Sequence, residues 1–493
     1  MYGFIVSAAL ISYFAFPNFL LKSGCWPLGW LALVFLFPVL ENKNPIQRCV
    51  AGGLYGLVFY GLLVHWFISY SLIGFVFFVL ALSLQPLLFG LGYGWRPAQP
   101  VRQVFYVAGL WVGSEYARTV LMSGFAWNLA HSQSFNPAMI QVSALTGSWG
   151  LSFILVACNF CFYRYFIRHE KPYLLTAVLL LGGLFLFGQA RFLWDQCDKQ
   201  FKSSVNVLAV QPNIDFRQKN DIVFLKPVIG ESMALTFQGL AHDEADLIVW
   251  PETAVPVDYR RHILLFSRLM AAIKVPGSYF LFGTALNDQD QDYNSAVLLD
   301  NAAVPQGRYD KRYLVPFSEF LPPGTFWNKA REWLKIRSYD FSPGGKGSLF
   351  KIRPGVGDQD FVFRFGALIC SEDALGFLYR QYKARGAGMV IVLLNDGWFA
   401  RPEALMLHAQ NAVMHAAENR LPVLRVANSG WTGLIDSFGR IAHPDQVPLQ
   451  QPAFGRFQIQ PDNHKTVYAL CGDWFCYLCL AFVIIDLIHR RKN

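Results

Sequence analysis

Eight stretches of this chain are apolar over lengths that match a bilayer. A helix needs about 20 mostly apolar residues to cross the hydrocarbon core, where no water can satisfy a bare backbone. Seven stretches lie before residue 190, at about 4–21, 27–40, 50–70, 72–94, 104–121, 142–164 and 172–188. An eighth covers about 466–487. Such a chain is restricted to a helical membrane part, with residues 191–465 folding outside the bilayer. The expected organisation is a transmembrane domain at 1–190 with seven helices, a globular domain at 191–465, and an eighth helix with a basic tail at 466–493. Charged residues make up only 15%, against roughly 25% in a soluble chain. The stretch at 27–40 is short and reads as tilted or partly interfacial. The first stretch lacks a basic start and a small-residue cleavage site, so it reads as an anchor rather than a removable signal.

Loop charges give an orientation. Lys43 and Arg48 follow the second stretch, Arg96 and Arg102 the fourth, Arg164, Arg168 and Lys171 the sixth, and Arg490, Arg491 and Lys492 the eighth. The intervening loops carry fewer cations. Cytoplasmic loops are the ones enriched in Lys and Arg. Both termini are therefore expected in the cytoplasm and residues 191–465 on the outer face of a bacterial inner membrane, the periplasm of a Gram-negative cell. The net charge of +9 reads as these topology charges, not as a nucleic-acid surface. The pairs Cys158/Cys161 and Cys476/Cys479 lie inside apolar segments with no histidine nearby, so they read as packing residues. His408 and His415 share a helix face without a third ligand, and no metal or cofactor is expected. Within the apolar stretches, His65, Glu115 and Arg118 are either paired, as Glu115 and Arg118 are at a spacing of three, or in contact with a polar head group.

Residues 191–465 alternate strand-like and helix-like runs. Strands are predicted at 205–211, 246–250, 279–284, 294–300, 361–369, 389–394 and 422–428, and helices near 221–241, 258–273, 372–385 and 403–419. That order predicts a layered α/β domain with helices covering sheets.

Three short motifs in this region each place a reactive side chain just after an apolar run. They are IVWPETAVP with Glu252, YDKRYLVPFSEFLP with Lys311, and GALICSED with Cys370. A carboxylate, an ammonium and a thiol supply the base, charge stabiliser and nucleophile of an acyl-transfer site. Cys370 ends a strand-like run before a helix-like one, and a helix N-terminus favours a thiolate. Taken singly, it reads as a buried structural thiol. Glu252, held between Pro251 and Pro256, is expected to be partly desolvated and so to bind a proton more readily. Alone, it reads as a helix-start acid. Arg312 rivals Lys311 as the stabilising cation, since charge does not separate them. Glu319 either orients Lys311 or is a surface acid.

In their order and setting, these motifs resemble the Glu-Lys-Cys site of the nitrilase superfamily. NDGWF (395–399) and ENRLPVLRVANSGWTGLIDSFGRI (418–441) resemble its later segments. With membrane spans around the domain, and LWVGSEYARTVLMSGFAWNLAHSQ at 110–133, the chain is similar to the apolipoprotein N-acyltransferase family. The resemblance implies a multi-pass helical membrane domain of about eight spans plus an αββα sandwich. It implies a thioester formed on Cys370 from a phospholipid, usually phosphatidylethanolamine, with Glu252 as base and Lys311 at the oxyanion. The acyl chain would pass to the α-amino group of the diacylglyceryl-cysteine of an apolipoprotein. Glu319 and Glu372 match family acids. Ser371 stands where the family often has Tyr, and Asn220 where it often has Trp. Trp250, Asn213, Trp327 and Trp398 are candidate substrate contacts, and 322–346, with Phe326 and Trp333, is either an apolar lid or packing. Two other functions compete. A membrane-tethered amidase hydrolysing small amides would use the same three groups in a water-filled pocket. A non-catalytic assembly protein would not need them intact.

Overall fold

The computed structural model describes residues 2–122, 127–197, 203–215, 225–241, 243–262, 278–321, 324, 340–354, 361–399, 401–443 and 446–492. Its outer segment builds two six-stranded sheets. In chain order the strands are β1 Val205–Gln211, β2 Leu247–Val249, β3 Tyr279–Asp288, β4 Gln291–Leu299, β5 Pro305–Asp310, β6 Leu349–Ile352, β7 Phe363–Ile369, β8 Met389–Leu394, β9 Val423–Ala427, β10 Gly433–Ile435, β11 Ile441–Ala442 and β12 Ala453–Ile459. One sheet runs β12-β1-β2-β3-β4-β5 and the other β11-β10-β9-β8-β7-β6. Each has a parallel core, β1-β2-β3 and β7-β8-β9, flanked by antiparallel strands.

Strand periodicity assigns the faces. Successive side chains point to opposite sides of a sheet. Val207, Ala209, Leu247, Val249 and Leu281 share one core with the second sheet. Their neighbours Leu208, Val210, Ile248 and Phe280 pack with Ile229 and Leu235 of the helix Leu225–Leu240. On the far side, Gly376–Ala384 and Pro402–Asn419 cover the second sheet. The order is helix, sheet, sheet, helix, the sandwich that the family resemblance implies.

The helical part differs from the eight expected spans. Among the described residues, four helices are long and apolar enough to cross a membrane: Pro45–Leu63, Leu72–Tyr93, Ser148–Phe166 and Pro172–Trp194. Tyr2–Ala15 and the apolar run Trp474–His489 are shorter, and Pro100–Leu121 carries Arg102, Glu115 and Arg118. The stretch 27–40 forms a 3-10 turn, Trp26–Trp30, and a short helix, Leu36–Leu40. Pro27, Gly29 and Pro38 explain the break, because proline removes a helix donor and clashes with the preceding turn. Pro17 stands two residues past the end of the first helix for the same reason.

Small residues set the closest approach in the bundle, as is usual between apolar helices. A Cβ on Gly52 would lie 2.1 Å from the Pro86 carbonyl oxygen, and one on Gly56 2.9 Å from the Ser83 Cα. Both obstacles are backbone and cannot swing aside. Gly52→Val is expected to push the two helices apart and cost about 1–3 kcal/mol, read as a lower unfolding temperature in detergent.

Glu115 and Arg118 each make bonds beyond any pairing with each other. Glu115 accepts from Trp111 Nε1 (2.8 Å) and the Leu129 N–H (2.7 Å), while Arg118 donates to Asn128 Oδ1 (3.0 Å) and to the Tyr60 hydroxyl. Together they hold the start of the Leu129–Gln133 turn. That turn meets the sandwich. Gln410 Nε2 donates to the His131 carbonyl, Trp127 Nε1 to the Leu407 carbonyl, and the Ser148 N–H to Glu418. The helix Pro402–Asn419 is therefore buried along its whole length, with sheet on one side and the helical part on the other.

Candidate active site

Cys370 follows the last residue of β7 in a left-handed backbone conformation, φ 52°. It opens a five-residue 3-10 turn, Cys370–Ala374, and the α-helix begins only at Gly376. The expected thiolate at a helix N-terminus is thus corrected. Burial pushes the Cys370 thiol well above its ordinary range, the Glu252 charge pushes further, and Lys311 pulls back. At rest the sulfur carries its proton, so nucleophilic attack requires a base beside it.

Glu252 is held by a tight turn after β2. The Gly283 N–H donates to the Pro251 carbonyl (3.2 Å), and Thr253 has φ 44°. A Cβ on Gly283 would sit 2.7 Å from the Glu252 Cα, so β3 passes this turn only because residue 283 has no side chain. Glu252 is buried, and its Oε1 accepts from Asn294 Nδ2 at 2.8 Å.

Lys311 is the first residue past β5. Its N–H donates to the Asn294 carbonyl (2.8 Å), and its Nζ reaches both Glu319 oxygens at 2.9 and 2.8 Å. Burial alone would lower its proton affinity. Glu319, first by its charge and also by its hydrogen bond, outweighs that only together with Cys370 and Glu252, and the sum holds the ammonium protonated. Arg312 points elsewhere. Its guanidinium donates to Gln381 (3.0 Å) and stacks over the Tyr313 ring. Of the two rival cations, Lys311 is the one joined to the buried acids.

Glu372 ties the two halves together. Its Oε1 accepts from the N–H groups of Arg312 (2.8 Å) and Tyr313 (3.2 Å), and its Oε2 from the Tyr309 hydroxyl (2.8 Å) and the Ile369 N–H (3.0 Å). One buried carboxylate thereby fixes the chain around Lys311 against the chain around Cys370. Burial pushes its proton affinity up, and Lys311 with these donors opposes the rise. Behind the turn, Arg425 joins Asp373 and Asp396, and His408 pairs with Asp396 at 2.9 Å. Burial alone would raise Asp396; His408 and Arg425 outweigh it and hold that carboxylate below its usual range.

The other expected contacts fall outside this group. Trp250 continues the Ile248 face of β2, so it packs edge-on against Phe280 and donates to Thr236 Oγ1 (2.9 Å) in the helix-side core. It is a packing residue. Asn213, with φ 52°, donates from Nδ2 to the Gln450 carbonyl (2.8 Å) and from its N–H to the Asn428 carbonyl (2.8 Å), closing the loop after β1. Ser371 is half-buried in the nucleophile turn, and Trp398 lies in the turn Asp396–Phe399. Trp327, Phe326, Trp333 and Asn220 lie outside the described residues. Sequence reading passed over Asn294, Tyr309, Asp373 and Arg425. Asn294, Asp373 and Arg425 are polar residues within or beside an apolar run, which was the available signal, whereas Tyr309 sits in the polar run PQGRYD and offered none.

Comparison with known proteins agrees with this layout. Residues 8–161 match the apolipoprotein N-acyltransferase N-terminal domain, and residues 225–449 match carbon-nitrogen hydrolase. A protein named apolipoprotein N-acyltransferase from Geobacter metallireducens is 30% identical, over 99% of this chain and 95% of the relative. One of the same name from Methylococcus capsulatus is 30% identical over 99% and 96%, and one from Thermotoga maritima 28% over 99% and 93%. Similarity at that level runs through helices and sandwich alike, and on it the chain belongs to the apolipoprotein N-acyltransferase family.

Proposed function

We propose that this protein moves an acyl chain from a phospholipid, through a thioester on Cys370, to the α-amino group of an N-terminal diacylglyceryl-cysteine. One observation carries the reading. A cysteine thiol, a buried carboxylate and a buried ammonium that act on one another's charge lie in a sandwich docked on membrane-length helices.

Glu252 takes the Cys370 proton as sulfur attacks the ester carbonyl of the lipid. The Lys311 ammonium stabilises the oxyanion, and the proton leaves with the lysophospholipid. The amine then attacks the thioester, Glu252 accepts its proton, and the sulfur departs and is reprotonated. Glu319 keeps Lys311 charged and placed, and Glu372 holds the cation and nucleophile segments together. Phosphatidylethanolamine is the proposed donor. The pattern of basic loops supports an inner-membrane location with the sandwich on the periplasmic side. A site closed by lipid favours attack by an amine over attack by water.

Mass spectrometry of the intact protein after mixing with phosphatidylethanolamine vesicles tests the reading. The expected result is a gain of one acyl chain, lost when a diacylated lipopeptide is added. Release of free fatty acid with no transfer to the lipopeptide would make the protein a hydrolase instead.

A further inference from the structure

Asn294 lies in β4 opposite Ala285 of β3, with 2% of its surface exposed. Its Nδ2 donates to Glu252 Oε1 at 2.8 Å and to Glu319 Oε1 at 3.3 Å. Its carbonyl accepts the Lys311 N–H at 2.8 Å. One side chain thus touches both acids of the site, while its main chain holds the cation. Its Oδ1 is buried with no hydrogen-bond partner among the described residues. That orphan shows what fixes the group. Turning the carboxamide over would aim an oxygen at two carboxylates, so an unmade bond on Oδ1 is the smaller cost.

The electrostatics of the site explain the need. Lys311 engages both oxygens of Glu319, and the Glu252 charge also acts on its ammonium. Two carboxylates in one buried site resist joint ionisation, and a donor bonded to the charged form counters that resistance. A primary amide is neutral and offers two N–H donors from one nitrogen. Asp offers none, and Ala neither fills the site nor donates. The other titratable groups facing this cluster are Cys370 beyond β7, Asp396 beside Cys370, and Glu372, whose oxygens are already occupied.

We infer that Asn294 is a positioning residue for the general base, bridging the Glu252 and Glu319 carboxylates and holding Glu252 aimed so that it receives the Cys370 proton. The inference rests on the proposed role of Glu252 and goes beyond it, by naming what keeps that base ready.

The test is the pH dependence of Cys370 alkylation by iodoacetamide in the full chain in detergent, with the labelled site read by peptide mass spectrometry. Sulfur displaces iodide, and the S–H proton passes to Glu252. No lipid is involved, so the measurement stands even if acyl transfer itself fails. In Asn294→Asp a third carboxylate replaces the donor. The rising limb of the rate is expected to move up by at least about one pH unit, which is roughly tenfold slower labelling at a fixed pH on that limb. Asn294→Ala, which removes the donor without adding charge, is expected to move it the same way by less. Unfolding temperatures are measured alongside. A lower unfolding temperature with the limb unmoved in both variants would make Asn294 structural only and overturn the inference. If Asn294→Asp does not fold, the position of the limb in Asn294→Ala decides.

Discussion

Cys370→Ala is expected to form no acyl-enzyme and to lose about 10⁴-fold or more of lysophospholipid release. The size of the effect follows from the site. The sulfur is the group on which Glu252 and Lys311 both act, and its proton affinity is set by burial and then by those two charges. With sulfur gone, the base has no proton to take and the ammonium no oxyanion to meet. Alanine keeps the Cβ in the φ 52° conformation that cysteine already occupies, so stability should change by only about 1 kcal/mol. Ser371 is the adjacent hydroxyl and the obvious substitute. If it took over, intact mass would still show a bound acyl chain, now as an ester that resists neutral hydroxylamine where a thioester would not. Lysophospholipid release at the wild-type rate in Cys370→Ala would remove this residue from the mechanism.

The strands leading to Glu252 and Cys370 were legible because their apolar runs are buried. β1 and β8 match the predicted ranges, and β2, β3, β4, β7 and β9 lie within or overlap theirs. β5, PQGRYD, was missed. It is half-exposed and polar for most of its length, so no alternation announces it, although Lys311 hangs from its end. β12 was missed for a related reason. Among the described residues it is an edge strand that pairs with β1 alone, and its Gly455 and Arg456 interrupt the pattern. The stretch 27–40 was read as short and tilted or partly interfacial, but its division into two pieces was not legible, because hydropathy counts apolar side chains and does not register what Pro27 and Pro38 do to a backbone. Motif order located Glu252, Lys311 and Cys370, but could not choose between Lys311 and Arg312. That choice depends on which side chain turns inward at the end of β5, and it shows only in the bond to Glu319. The role of Asn294 was out of reach for a deeper reason. Its meaning lies in two partners 42 and 25 residues away, and no local pattern encodes them.

Lys311→Met is expected to slow thioester formation by about 10²–10³-fold, the usual loss for one oxyanion donor. It should also destabilise the fold by about 3–5 kcal/mol, because Glu319 is left buried without its counter-charge. The two effects have different origins and can be separated. Lys311→Met with Glu319→Gln removes both charges, and the single Gln oxygen can still accept from the Val315 N–H, now bonded to Glu319 Oε2 at 2.8 Å, while the longer 3.3 Å bond from Asn294 is given up. The double variant should therefore recover most of the lost stability. It should not recover the rate, since nothing replaces the ammonium at the oxyanion. Unfolding temperature and the rate of acyl-enzyme formation, measured on wild type, both single variants and the double, close the cycle. Recovery of the rate together with stability would mean that Lys311 only balances Glu319, and the oxyanion would then need another donor. Loss of rate with stability restored would place the cation at the reacting carbonyl. It would also explain why the chain buries an ion pair where an apolar pair would hold the sandwich together as well.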